Sequence, residues 1–276
     1  MLKKIEKSRL LLDKYVTKLR CPICHSSFSL DNNALICKNH HTYNLSKKGT
    51  VNFLSTPADT EHYTRKMFEP RRRLIQGGMY RGLTSLIQRF LLGNSLLDVG
   101  TGEGSFLNQL VFDGPKFGFD IAKDGIEMAT EFDMNCFLSL ADLTNLPYAD
   151  ESTSTILNIL TPSNYSEFKR VLQTDGRLIK VIPGKFYLQE LREAYGLAYY
   201  HNNSAVLSRF AKEFPNFLQK EIYYEFKIPE KLSEDFLDMS PLEWSVSGDL
   251  KERIKKNPPH TATIHLQVLI TNNTKK

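Results

Sequence analysis

The sequence predicts an α/β protein in which a mostly parallel sheet is covered by helices on both faces and preceded by a small metal-binding module. Three observations predict it. From residue 80 onward, short apolar runs alternate with segments long enough for helices. A glycine-rich turn follows the first of those runs, and three cysteines crowd between positions 21 and 37 with histidines just beyond. At 276 residues, 41% hydrophobic and 24% charged, the chain can bury a full core and still carry a smaller module.

The leader, residues 1–20, mixes Leu10, Leu11 and Leu12 with Lys3, Lys4, Lys7, Arg9, Lys14, Lys18 and Arg20. Its apolar stretch is too short and too charged for a signal peptide, and no run in the chain approaches the roughly 20 residues of a membrane span. A cytoplasmic protein with no membrane partner is expected. The remaining divisions expected are a zinc-binding module over 21–55, a basic connector over 56–79 and the sheet domain over 80–276.

In the module, Cys21-Pro-Ile-Cys24 is followed after twelve residues by Cys37 and then by His40 and His41. A two-residue gap lets one turn present two thiolates to a tetrahedral zinc, and the Cys37 region supplies the other half. Spacing leaves His41 and His40 both open as the fourth ligand, with His25 an outside candidate. Four protein ligands leave no free coordination position, so such a zinc holds a fold together and performs no chemistry.

In the sheet domain, Leu83, Leu86, Ile87, Phe90 and Leu91 recur at helical spacing ahead of the strand-like run Ser95–Val99. Further strand-like runs stand at Phe117–Ile121, Cys136–Leu140, Thr155–Leu160 and Arg177–Ile182. Cys136, inside one of them, reads as a small buried hydrophobe. Ile222–Ile228 and Thr263–Ile270 suggest an antiparallel pair at the sheet edge. Trp244 and the tyrosine pairs beginning at Tyr199 and Tyr223 read as core or edge packing.

The turn after the first strand places Gly100, Gly102 and Gly104 directly before a helix candidate, where backbone can approach a ligand closely. A dinucleotide fingerprint needs a glycine at position 105, which is Ser105. With Asp98 ahead of it, the turn resembles the first motif of the class I (Rossmann-like) methyltransferases. Their cofactor, S-adenosylmethionine, has no pyrophosphate to cradle but carries a cationic amino group and sulfonium that a carboxylate favours. Asp120 closes the next strand, where a carboxylate can accept from both ribose hydroxyls of either cofactor class. Asp142, after the third strand, can accept from an adenine amino group.

Charge is unevenly spread. Residues 1–97 hold 17 Lys+Arg against 6 Asp+Glu, although the whole chain is only +5. A basic first third suits a polyanion, because each neutralised phosphate releases counterions. Arg71, Arg72 and Arg73 are the candidate phosphate contacts.

The combination of the Cys/His module with Asp98-Val-Gly-Thr-Gly-Glu-Gly104 is similar to the bacterial large-subunit rRNA (guanine-N1)-methyltransferases of the RlmA type, which include macrolide-resistance methyltransferases. The resemblance runs from Cys21 to about Glu190. Its most specific pieces are Cys-Pro-Ile-Cys, Lys48-Gly-Thr-Val-Asn-Phe-Leu54, Arg71-Arg72 with Gly78-Met-Tyr80, and Pro183-Gly-Lys-Phe-Tyr-Leu-Gln-Glu-Leu191. It implies zinc on Cys21, Cys24, Cys37 and His41, and cofactor contacts by Tyr80, Gly102, Glu103 and Tyr187. Departures are Gln76-Gly-Gly-Met79, Gln173-Thr-Asp-Gly176, and Tyr187 where a histidine is expected.

The reading that results is S-adenosylmethionine-dependent methylation of guanine N1 in a hairpin loop of 23S rRNA, with zinc as the second cofactor. After the fourth strand Leu160-Thr-Pro-Ser-Asn164 replaces the Asn/Asp-Pro-Pro-Tyr/Phe of amino-methylating enzymes, which agrees with a ring-nitrogen acceptor. Single-stranded loops present bases at least cost. The sequence singles out no catalytic base. Large-subunit ribosomal RNA is the expected partner, and a homodimer is kept open. A small-molecule methyltransferase, or a non-catalytic RNA-binding protein with this fold, are the competing readings.

Overall fold

The structure is a computed structural model that describes residues 2–56, 58, 61–133, 135–198 and 203–272. The leader forms helix α1 (Lys4–Tyr15), started by the Glu6 carboxylate accepting from the Lys3 N–H at 2.7 Å. Three short strands follow, β1 (Phe28–Asp31), β2 (Ala34–Cys37) and β3 (Thr42–Asn44), paired antiparallel in that order. Beyond them come β4 (Val51–Asn52), α2 (Arg65–Gln76) and α3 (Arg81–Gln88).

The α/β alternation expected from residue 80 is then observed. It runs through β5 (Leu96–Val99), α4 (Ser105–Gln109), β6 (Lys116–Asp120), α5 (Lys123–Ala129) and β7 (Cys136–Leu140). It continues through β8 (Thr153–Ile159), α6 (Tyr165–Val171), β9 (Leu172–Pro183), α7 (Gln189–Ala194) and α8 (Ser204–Glu213). The chain closes with β10 (Phe217–Lys227), α9 (Ser233–Asp238), α10 (Gly248–Lys255) and β11 (Thr261–Asn272).

Eight strands form one sheet in the order β10-β11-β9-β8-β5-β6-β7-β4, with β10 and β11 the expected antiparallel edge pair. From β5 the chain winds first through β6 and β7, then returns to the other side for β8 and β9. Neighbouring β5 and β8 therefore mark the topological switch point, where open α/β sheets form a crevice outside the carboxyl ends of their strands. This is the class I methyltransferase arrangement. β5 and β8 are buried along their whole length, as strands covered on both faces must be.

Two of the expected divisions need correction. The leader is a covering helix and not an appendage: Leu11, Leu12 and Leu19 share one core with Phe117, Phe137 and Tyr148 of the sheet domain. The metal module is likewise part of the larger fold, because Val51–Asn52 pairs in parallel with β7 as the last strand of the main sheet. Around it, Lys18 Nζ donates to Ser152 O at 2.6 Å and Asn145 Nδ2 to Pro22 O at 2.7 Å. Gly49, at φ +78, lies so close to α1 that a Cβ there would sit 2.3 Å from Ser8 Oγ.

The expected connector is helix α2, which buries Met67, Phe68, Leu74 and Ile75 against α4, α5 and α9. Cys136 is partly buried among apolar neighbours. Tyr224 packs inward, its hydroxyl donating to Met79 O at 2.8 Å. Tyr199 and Tyr200 lie outside the described residues. Among the described residues no helix is long and apolar enough to cross a membrane.

Candidate active site and metal centre

The ends of β2 and the preceding Cys-Pro-Ile-Cys turn bring Cys21, Cys24, Cys37 and His41 together, with ligand atoms all within 4.8 Å of one another. Cys21 Sγ lies 3.5 Å from His41 Nδ1, Cys37 Sγ 3.3 Å from the same nitrogen, and Cys24 Sγ 3.6 Å from Cys37 Sγ. A tetrahedron with Zn–S near 2.3 Å and Zn–N near 2.0–2.1 Å has edges of roughly 3.5–3.8 Å, so the donor set fits zinc in both chemistry and spacing. Of the three histidines open from spacing, His41 is the one whose ring nitrogen stands in the cluster, while His40 and His25 sit in left-handed turns beside it at φ +62 and +59. A hydrogen bond with the Ser26 hydroxyl, 3.1 Å away, and the Ser26 backbone hold the Cys24 thiol down to about 5, favouring the thiolate a metal needs.

At the switch point lies a cavity of ≈ 1020 Å³. Tyr80, Asp98, Gly100, Gly102, Glu103, Asp120, Asp142 and Tyr187 all line it. Gly104 does not line it, and serves instead as the N-terminal cap of α4 at φ +82. Gly100 and Gly102 adopt φ +70 and +54, and Cβ atoms at these positions would approach Thr161 Cγ2 to 2.7 Å and Phe68 Cε1 to 3.1 Å. Both the turn's handedness and its close packing thus call for glycine.

Three carboxylates meet under this turn. Asp98 is 3% exposed, and burial pushes its pKa up to about 7 against the Thr101 hydroxyl that donates to it at 2.7 Å. Asp120 is also raised by burial; one oxygen accepts from the Gly102 N–H and the other from the Ala122 N–H, each at 2.8 Å. Those bonds fix its rotamer and leave each oxygen a second lone pair for a ligand. Glu103, raised by burial too, is committed at Oε2 to the Ser105 hydroxyl at 2.6 Å and to Arg72 Nε at 3.3 Å. Asp142 is exposed and holds an Asx turn through the Thr144 N–H at 2.8 Å. The buried Tyr80 and its neighbour Tyr187 share a hydroxyl–hydroxyl hydrogen bond of 2.5 Å. A site lined this way suits a ligand bearing both positive charge and hydroxyl groups.

Comparison with known proteins agrees with the geometry. The zinc-ribbon family model described as RlmA, N-terminal, matches residues 19–60. YxjB of Bacillus subtilis (strain 168), provisionally named a 23S rRNA (guanine-N(1)-)-methyltransferase, is 34% identical over 270 residues, covering 91% of this chain and 95% of that protein. The chain belongs to the 23S rRNA (guanine-N1)-methyltransferase family. A second relative, the 23S rRNA (guanine(748)-N(1))-methyltransferase of Streptomyces fradiae, is 27% identical over 257 residues, covering 88% of this chain and 92% of its own. Among solved structures, the YcgJ protein of Bacillus subtilis shares the fold at a TM-score of 0.50 and 14% identity, over 71% of this chain and 100% of that one.

In this methyltransferase the three consecutive arginines, expected as phosphate contacts, point in three different directions. Residues one apart on a helix point about 100° apart. Arg71 lines the cavity, where its charge offsets part of the rise that burial causes at Asp98, Glu103 and Asp120. Arg72, its side chain 12% exposed, bonds Glu103 and Glu131 and lies over the Phe132 ring at 4.6 Å. Arg73 forms a two-pronged pair with Asp235 at 2.6 and 2.8 Å.

The sequence reading also missed Lys180. From the middle of β9 its ammonium donates to Asn158 Oδ1 at 2.8 Å and Ser163 Oγ at 2.6 Å, and burial lowers its pKa to about 8. Asn158 Nδ2 in turn donates to Thr161 Oγ1 at 2.5 Å and Pro162 O at 2.8 Å. This network locks the Leu160–Asn164 loop beside the cavity, with Leu160 held at φ +55. A lysine inside an otherwise apolar, doubly covered strand was the available signal. Trp244, expected as core or edge packing, packs against His62 and Tyr63 and is 38% exposed.

Proposed function

We propose that the chain transfers the methyl group of S-adenosylmethionine to N1 of a guanine in a hairpin loop of 23S rRNA, in the cytoplasm. The observation that carries this reading is the convergence of the glycine turn, buried Asp98 and oriented Asp120 in one cavity at the switch point of a chain from this family. Asp98 would face the cofactor's ammonium, Asp120 the ribose hydroxyls, Asp142 the adenine amino group and Arg71 the carboxylate. Tyr80 and Tyr187 would close the cavity near the transferred methyl. The cofactor supplies an activated methyl on a good leaving group, and the proton that guanine N1 gives up as it accepts the methyl passes to solvent water at the cavity mouth, so the chain's own work is orientation. Locked by Lys180 and Asn158, the Leu160–Asn164 loop is a rigid wall against which a ring nitrogen can be aimed.

Zinc on Cys21, Cys24, Cys37 and His41 would hold the N-terminal ribbon on the edge of the sheet and take no part in transfer. The test is transfer of labelled methyl from S-adenosylmethionine to bulk ribosomal RNA from a strain lacking the gene, beside a small-molecule extract. Label in RNA supports the reading. Label only in the extract favours a small-molecule enzyme, and no label in either favours a non-catalytic RNA binder.

A further inference from the structure

The rim of the cavity carries an aromatic cluster that methyl transfer does not use. Tyr63 lines the cavity, and Trp244 meets it edge-on at 5.0 Å between centroids and 87° between planes. His62 lies nearly parallel to Trp244, 4.8 Å away at 27°. Tyr63 and Trp244 remain 41% and 38% exposed, so core packing does not account for them. The two contributing segments, one just ahead of α2 and one between α9 and α10, meet where Tyr63 lines the ligand cavity, which Arg192 and Arg209 also line. Exposed, mutually supported rings beside a cavity that cationic side chains help to line are the kind of surface on which unstacked nucleobases settle, because every base has a π-face.

We propose that His62, Tyr63 and Trp244 form a stacking platform for a base of the RNA loop, replacing the stacking lost when the target guanine is drawn into the cavity. The platform rests on the rRNA reading above. Trp244 is the sole tryptophan of the chain, so its fluorescence reports this site without labelling. The experiment titrates the full-length protein with a transcript of the 23S rRNA hairpin, measuring emission and filter retention together, and separately with S-adenosylhomocysteine.

Emission quenched by the transcript in parallel with retention, and little changed by S-adenosylhomocysteine, is the expected result. Trp244→Ala should weaken RNA retention roughly tenfold, in line with the loss of one stacked base, while Trp244→Phe recovers most of it. Cofactor affinity should stay within about twofold in both variants. Retention with unchanged emission overturns the platform and leaves the rRNA reading standing. Quenching by S-adenosylhomocysteine alone, with no further change on adding RNA, also overturns it, because the cluster then covers the cofactor. A transcript neither retained nor methylated overturns platform and substrate together.

Discussion

Replacing Asp98 with asparagine removes the charge beneath the glycine turn while keeping the shape and the Thr101 hydrogen bond at 2.7 Å. In the folded chain this carboxyl stands at about 7 against an ordinary value of 3.8, with burial as the main cause and Asp120 and Glu103 adding to it. Holding the carboxyl at about 7 instead of 3.8 corresponds to about 4 kcal/mol against ionisation. The sign follows from the folded chain binding this proton more tightly than the unfolded one. Stability from this group is fully present below 3.8 and is lost as pH rises through about 7. Asp98→Asn should therefore stabilise the ligand-free protein at pH 8 by an amount on the order of a few kcal/mol.

Cofactor binding runs the other way, because a ligand ammonium beside Asp98 favours the ionised form. Calorimetry between pH 5 and 7 should show wild-type affinity for S-adenosylhomocysteine rising about tenfold per unit, with proton release on binding. S-adenosylhomocysteine lacks the sulfonium charge, so a slope with this ligand isolates the ammonium. The variant should bind weakly and without that slope. A wild-type affinity flat over this range, or a variant that binds as tightly as wild type at pH 7, would refute the reasoning.

Other outcomes follow from the same geometry. Metal analysis should return about one zinc per chain, and chelation or Cys24→Ala should shift a single melting transition as a unit, since the ribbon and the sheet share one core; a small early transition with the main one unmoved would contradict this. Arg72→Ala removes the guanidinium from buried Glu103 and leaves that carboxylate on Ser105, so a loss of about 1–3 kcal/mol in denaturant unfolding is expected, with the salt slope of RNA binding unchanged. A stable variant with a shallower slope would return Arg72 to the phosphate. Gly102→Val must place a branched side chain at φ +54 and against Phe68, and should abolish cofactor binding in calorimetry while methyl-independent RNA retention persists.

The sheet was legible because buried parallel strands read as short apolar runs, and Cys136–Leu140 agrees residue for residue with β7. The metal cluster was legible from spacing down to the choice of histidine, where the resemblance pointed to His41 and the structure places the His41 ring among the three thiols. Where the reading failed, tertiary contact decided. Arg71, Arg72 and Arg73 look like one charge run in sequence, yet helical rotation sends one to the cavity, one to Glu103 and one to Asp235. The Lys/Arg content of the leader masked Leu11, Leu12 and Leu19, whose burial needs the sheet as a partner. The surroundings of Trp244 carry no local signal, because His62 and Tyr63 reach it from a segment ahead of α2.

Methylation at N1 blocks the pairing edge of guanine, so reverse transcription of 23S rRNA arrests at the modified base. The most direct measurement compares such arrests in rRNA from a strain carrying the gene, a strain lacking it, and the latter's rRNA after incubation with the purified protein and S-adenosylmethionine. One hairpin-loop guanine should give an arrest in the first and third samples and none in the second, with 1-methylguanosine recovered from it by mass spectrometry. Identical arrest patterns in all three, or a methyl group recovered on another atom or base, would contradict the account.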